Sequence, residues 1–290
     1  MRKISTYLTL IICLAAIVVS QGSVAFWPSP MPGRVVSINL CTDELALQLA
    51  LPGQLIAVTH LVKDKVLSSQ WKAAKSFKSH NNSLEQIISY QPELILASQY
   101  SSKALLQRLK SLNYRVYQVP TANTLAQLNA NITSVGSLLG NHYRAQQIVA
   151  TQKRKIKSLY QSVRGKKEPL DIVVYLPGGR SNASNDLTSQ LIKMAGMRNM
   201  AHDKGYPGRH TLSIEQLIRW NPDLLIIIQS YAGLHSRATA LLKHPALQYF
   251  SRQQRVISIP NRWTSCGTAS TFKILKHLIS ARNKYINSRK

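Results

Sequence analysis

Ser270-Thr271-Phe272-Lys273 has the S-x-x-K spacing with which a lysine activates a serine nucleophile in penicillin-interacting enzymes. Those enzymes also need S-D-N and K-T-G partners, and the seventeen residues that follow contain neither. Cys266 with His60 or His277 is the other nucleophile–base combination in the chain, but no spacing brings these residues together. A serine or cysteine hydrolase is therefore the weaker alternative. Pro177-Gly178-Gly179-Arg180 is too short to cradle a nucleotide, and neither a G-x-G-x-x-G nor a Walker A loop occurs. No His/Cys/Asp set has the spacing of a closed zinc site, so the expectation is no resident metal and no cofactor.

Cys41 and Cys266 each lie between an expected strand and an expected helix. Three roles stay open for them: buried small apolar residues, a disulfide, or thiols that touch a ligand or its metal. A disulfide would restrict any motion between the segments that carry them.

The elements that position these residues follow from hydrophobic pattern and turn chemistry. Residues 1–25 are set aside as a signal peptide. Arg2 and Lys3 precede the apolar run 8–19, and Ser23-Val24-Ala25 offers small residues for cleavage. That run is shorter than the about 20 residues a membrane span needs, and Cys13 lacks a lipoprotein setting. The chain is thus expected in the periplasm. Its formal charge is +26 over 290 residues, or +24 without Arg2 and Lys3. Such a balance favours polyanions, and a basic envelope protein that binds them is a second alternative. The basic residues are spread out, however, with Lys153–Lys157 (KRKIK) the densest cluster, and no motif for specific nucleic-acid binding appears.

RVVSINL (34–40), LIAVTH (55–60), ELILAS (93–98) and YRVYQVP (114–120) read as strands, with helices at 42–51, 84–90 and 103–112 between them. Thr42 is placed to cap the first of these helices. Residues 124–163 then lack strand-like runs and read as two helices broken at Gly140-Asn141. The second, 142–163, is long enough to join two lobes. Alternation resumes with the strand DIVVYL (171–176), a loop at 177–186, a helix at 187–196, the strand DLLIIIQ (223–229), a helix over 236–250, the strand RVISIP (255–260) and a helix over 269–285.

One sequence block occurs twice. SLEQIISYQPELIL at 83–96 and SIEQLIRWNPDLLI at 213–226 are identical at six of fourteen positions. The strands around 34 and 171, and around 114 and 254, keep nearly the same offset. This order predicts an α/β chain of two Rossmann-like lobes with parallel sheets joined by one long interdomain helix. The expected boundaries are 26–123 for the first lobe, 124–167 for the helical linker and 168–290 for the second lobe.

Together, SINLCTDELALQLA, the paired E-x-I/L-I-x-x-x-P-D/E-L blocks and the single long connecting helix resemble class III, helical-backbone substrate-binding proteins of ABC importers. The resemblance covers roughly 34–285. It implies capture of a cobalamin, ferric siderophore or haem in an interlobe cleft, without chemistry, and delivery by a monomer to an inner-membrane permease. The ligand would then carry cobalt or iron. It also implies that Glu85 and Glu215, one in each copy of the block, dock to arginines of the permease. In an open parallel sheet the ligand lies beyond the carboxyl ends of the strands. That rule and side-chain chemistry select His60, Trp71, Tyr100, Arg180, Tyr231, Arg262 and Trp263 as cleft candidates, with Tyr175 and Tyr206 behind them. Aromatic faces would stack on a flat chelate and arginines would pair with its carboxylates. Tyr100 and Trp263 are the strongest of these.

Overall fold

The computed structural model describes residues 31–165, 169–176, 178–206, 208–229, 244–268 and 270–289. The expected signal peptide, Tyr231 and the 236–243 part of an expected helix lie outside these ranges.

In chain order the first lobe comprises β1 (Val35–Ser37), α1 (Leu40–Leu49), β2 (Leu55–Thr59), a 3-10 turn (His60–Lys63), α2 (Trp71–Ala74), β3 (Lys78–His80), α3 (Leu84–Ser89), β4 (Leu94–Ser98), α4 (Lys103–Ser111) and β5 (Val116–Val119). Helices α5 (Leu125–Leu138) and α6 (His142–Gln161) follow. The second lobe comprises β6 (Leu170–Leu176), β7 (Arg180–Asn182), α7 (Leu187–Met194), β8 (Met197–Asn199), α8 (Met200–Asp203), β9 (Arg209–Thr211), α9 (Ile214–Trp220), β10 (Leu224–Gln229), α10 (Pro245–Arg252), β11 (Val256–Pro260), α11 (Asn261–Thr264) and α12 (Phe272–Asn287).

The first sheet is parallel with order β3-β2-β1-β4-β5. Both of its faces are covered, which is why β4 is buried at every position of LILAS. In the second sheet β6, β10 and β11 run parallel in the same manner. This sheet departs from the expected all-parallel form on its other side. Strand β8 pairs with the start of β6, while β7 and β9 add antiparallel pairing at its end. The segment expected as a loop at 177–186 thus contains β7. A three-residue polar strand, RSN, carries no alternation from which it could be read.

Helix α1 also begins earlier than expected. Asn39 is its cap, accepting the Cys41 N–H at 3.0 Å. Thr42 lies one turn inside, where its hydroxyl bonds Ser37 Oγ at 2.8 Å beneath the sheet end.

The duplicated block has a physical account. Ser83 and Ser213 cap α3 and α9 by accepting from the N–H groups of Gln86 and Gln216. Gln91 (φ 48°) and Asn221 (φ 42°) then turn the chain through the left-handed region, and Pro92 and Pro222 prevent the helix from continuing. The next carboxylate in each copy ties down the start of its lobe. Glu93 accepts from Gly33 N at 2.6 Å, and Asp223 accepts from Asp171 N at 2.9 Å.

Helix α6 belongs to both lobes. Its Ala145, Ile148 and Val149 pack into the first core with Leu128, Ile132 and Val135 of α5. Its Ile156 and Leu159 pack into the second core with Leu275 and Ile279 of α12. Helices α5 and α6 approach closely at Gly136, where an added Cβ would lie 2.3 Å from the Ala145 Cβ.

Candidate ligand-binding cleft

Beyond the carboxyl ends of β1, β4, β5 and β11 lies a cavity of about 440 Å³ between the lobes. The first lobe contributes Asn39, Ser98, Tyr100 and Thr121, α5 contributes Asn131, and the second lobe contributes Asp186, Thr188, Arg209, Trp263 and Ser265. A neighbouring cavity of about 300 Å³, reaching the ends of β6 and β10, shares Asp186, Thr188 and Arg209. The walls carry hydroxyls, amides and aliphatic side chains, among them Leu40, Leu45, Val119, Leu187 and Ile274, around two aromatic rings, with one carboxylate and one guanidinium among the described residues.

Tyr100 is 75% exposed in the loop after β4. The Thr121 hydroxyl beside it, then the Gln99 side chain and the positive Arg209, hold its phenol below the usual range. Trp263, in α11 after β11, is half-buried and leans edge-on against His277 at 5.8 Å between ring centroids. The cavity thus has an aromatic ring from each lobe.

Cys41 and Cys266 also line this cavity and are bonded to one another, with Cα atoms 5.1 Å apart. Of the three roles open from sequence, the structure has the disulfide, and it crosses between the lobes. Further ties flank it. Ser69 Oγ donates to Arg262 O at 2.8 Å, Arg262 Nη1 donates to Lys65 O at 3.2 Å, and Leu125 N donates to Gln190 Oε1 at 2.9 Å.

The remaining candidates are dispersed. His60 opens the 3-10 turn, its Nδ1 3.4 Å from His80 O, and is not part of the cavity wall. Trp71, at the start of α2, lies beneath the ammonium groups of Lys72 and Lys75 at 5.6 and 4.9 Å. Arg180 is on β7 and Arg262 is in the interlobe seam, both outside the wall. Strands β2 and β11 pass directly into helical turns, which redirect the side chains a residue or two later. Tyr175 is a core residue, fully buried in the second lobe, and Tyr206 packs on His210 and Trp220. Glu85 and Glu215 are exposed in the first turns of α3 and α9. Hydrogen bonding to Ser213 and to its own backbone N–H holds the Glu215 carboxyl below its usual range. Arg209 and Asp186 were not expected. Asp186 had a legible signal as a capping residue: it accepts the Ser189 N–H at 2.9 Å.

Below the cavity floor, α1 carries two buried carboxyls. Burial pushes Asp43 up to about 8, against hydrogen bonds from Thr59 and Ser37. Glu44 is also raised by burial while accepting from Ser68 Oγ at 2.7 Å and Ser69 N at 2.6 Å. Ser270, of the S-x-x-K match, is 2.9 Å from the Thr268 hydroxyl and 3.3 Å from that of Ser69. Hydroxyl partners cannot activate it as a base would.

Among the described residues no helix is long and apolar enough to cross a membrane. The family model described as periplasmic binding protein matches residues 35–263. An uncharacterized ABC transporter substrate-binding lipoprotein of Bacillus subtilis, YvrC, is 21% identical over 203 residues, which cover 67% of this chain and 63% of the relative. A cobalamin-binding protein of Halobacterium salinarum is 23% identical over 216 residues, covering 73% and 58%. The chain therefore spans less than two thirds of the length of these curated relatives. Two solved structures share the fold. A possible iron-binding (periplasmic solute-binding) protein of Staphylococcus epidermidis gives a TM-score of 0.72 at 18% identity, covering 87% of this chain and 99% of that one. The apo haem-binding protein RhuT of Roseiflexus gives 0.69 at 20% identity, covering 86% and 98%. With two lobes, one bridging helix and a cleft at the strand ends, the chain belongs to the periplasmic binding protein family, whose members bind substrates rather than transform them.

Proposed function

We propose that this chain is a periplasmic receptor that captures a metal chelate (a corrinoid, a haem or a ferric siderophore) and delivers it to an ABC importer's permease. The observation that carries this reading is the pair Tyr100 and Trp263, presented to one cavity from opposite lobes beside Arg209. Flat conjugated ligands stack on such rings, and a guanidinium pairs with the carboxylates that chelates commonly bear. The lowered phenol of Tyr100 also suits it to bind a ferric centre as phenolate. The names of the relatives, cobalamin-binding and haem-binding, support the same class of cargo. Glu85 and Glu215 would meet cationic groups of the permease. Residues 1–25 would serve export and be removed.

The test is isothermal titration of residues 26–290 against cobalamin, cobinamide, haem and several ferric siderophores. One saturable isotherm with a single site supports the proposal. No isotherm across the panel, together with binding of heparin, favours the polyanion-binding alternative that the net charge of +26 raises.

A further inference from the structure

We infer that the flank of α6 carries a second binding site, independent of the cleft, for an acidic peptide strand. A groove of about 690 Å³ runs along this helix and ends against Phe272 at the start of α12. Arg144, Arg154 and Lys155 line it, and no carboxylate does among the described residues. Lys155 is held in place over the Phe272 ring, its Nζ 4.3 Å from the centroid. Arg154 donates to Thr151 Oγ1 at 3.1 Å.

Gln152 points to what the groove takes. It lines the groove, is 2% exposed, and neither atom of its side-chain amide has a hydrogen-bond partner. A buried amide left in this state is costly, and a ligand that pairs with it recovers the loss. Its complement must offer both a donor and an acceptor. A peptide group offers both, whereas a polyphosphate offers acceptors only and leaves Gln152 Oε1 unpaired. The cations require carboxylates on the same ligand. Arg144 and Lys155 are about 16 Å apart along the helix axis, the length of roughly five extended residues. The chain has 11 acidic residues in all and no acidic run, so the strand must come from another molecule.

The experiment is fluorescence anisotropy of a labelled, end-capped pentaglutamate peptide at low ionic strength. Pentaglutamine and tripolyphosphate serve as competitors. Saturable binding is expected, weakened roughly tenfold or more by Arg144→Gln with Lys155→Gln, weakened several-fold by Gln152→Leu, and unchanged by Tyr100→Ala. Arg144 and Lys155 are exposed, so the double variant should keep the parental melting temperature. Three results overturn the inference: no saturation, equal affinity in the double variant, or displacement by tripolyphosphate as efficiently as by unlabelled pentaglutamate. Loss of binding in Tyr100→Ala would place the peptide in the cleft and overturn it as well.

Discussion

Cys41, in the first turn of α1, and Cys266, beyond β11, are bonded across the two lobes although 225 residues separate them in sequence. A cross-link of this span removes much of the unfolded chain's freedom. Reduction, or Cys41→Ser with Cys266→Ser, should destabilise the protein by about 2–5 kcal/mol. Denaturant titration with and without reductant measures this. Because the bond lines the cavity, the reduced form should also release ligand faster. Identical midpoints, with both thiols shown free, would mean that the bond does not constrain the fold.

Asp43 gives the lobe a pH dependence of defined sign. Its folded-state value of about 8 lies above the ordinary 3.8, so the folded form holds the proton more tightly. Its contribution is complete below about pH 4 and is lost as the pH rises toward 8. Between pH 7 and 8, wild-type stability should fall while Asp43→Asn stays flatter. Buried His80, held low chiefly by desolvation, acts in the opposite sense at more acidic pH. The difference between wild type and variant across thermal melts at pH 7, 7.5 and 8 therefore isolates the aspartate. A steeper fall in the variant would reverse the assignment.

Gly136 fixes the angle between α5 and α6. Alanine there cannot fit without moving α6, because its Cβ would come within 2.3 Å of Ala145. Gly136→Ala should cost about 1–3 kcal/mol, as overpacking does, despite alanine's better helix propensity. A thermal melt that is unchanged or improved would show that the helices slide freely.

In the proposed function Glu85 and Glu215 serve delivery and not capture. Both are exposed and neither lines the cavity, so Glu85→Ala with Glu215→Ala should leave ligand affinity within twofold. Uptake of labelled chelate by cells that carry the variant should fall by tenfold or more if each ion pair contributes about 1 kcal/mol or above. Normal uptake would remove the docking role from these residues.

Much of this architecture could be read from pattern, because pattern caused it. The repeated Ser cap, the Pro after a left-handed turn and the following apolar strand are local devices, and both copies build the same unit. Tyr100 and Trp263 were legible as aromatic residues just past parallel strands, although His60 and Arg262, placed alike in sequence, lie outside the cavity wall. Arg209 was not legible, since it depends on β9, a polar three-residue strand fixed by tertiary pairing rather than by propensity, and Asp186 was legible only as the cap of α7, not as a cavity residue. The disulfide was one option of three from sequence. Only the folded distance between α1 and the loop after β11 selects it.

The most direct test is a thermal-shift titration of residues 26–290 against the chelate panel, run in parallel on Tyr100→Ala and Trp263→Ala. At 100 times the dissociation constant, wild type should gain about 2.7 kcal/mol with one chelate, and each variant should lose most of that gain without a change in its own melting temperature. A chelate that stabilises all three proteins equally would contradict a site between Tyr100 and Trp263, and no response to any chelate would contradict the proposed cargo.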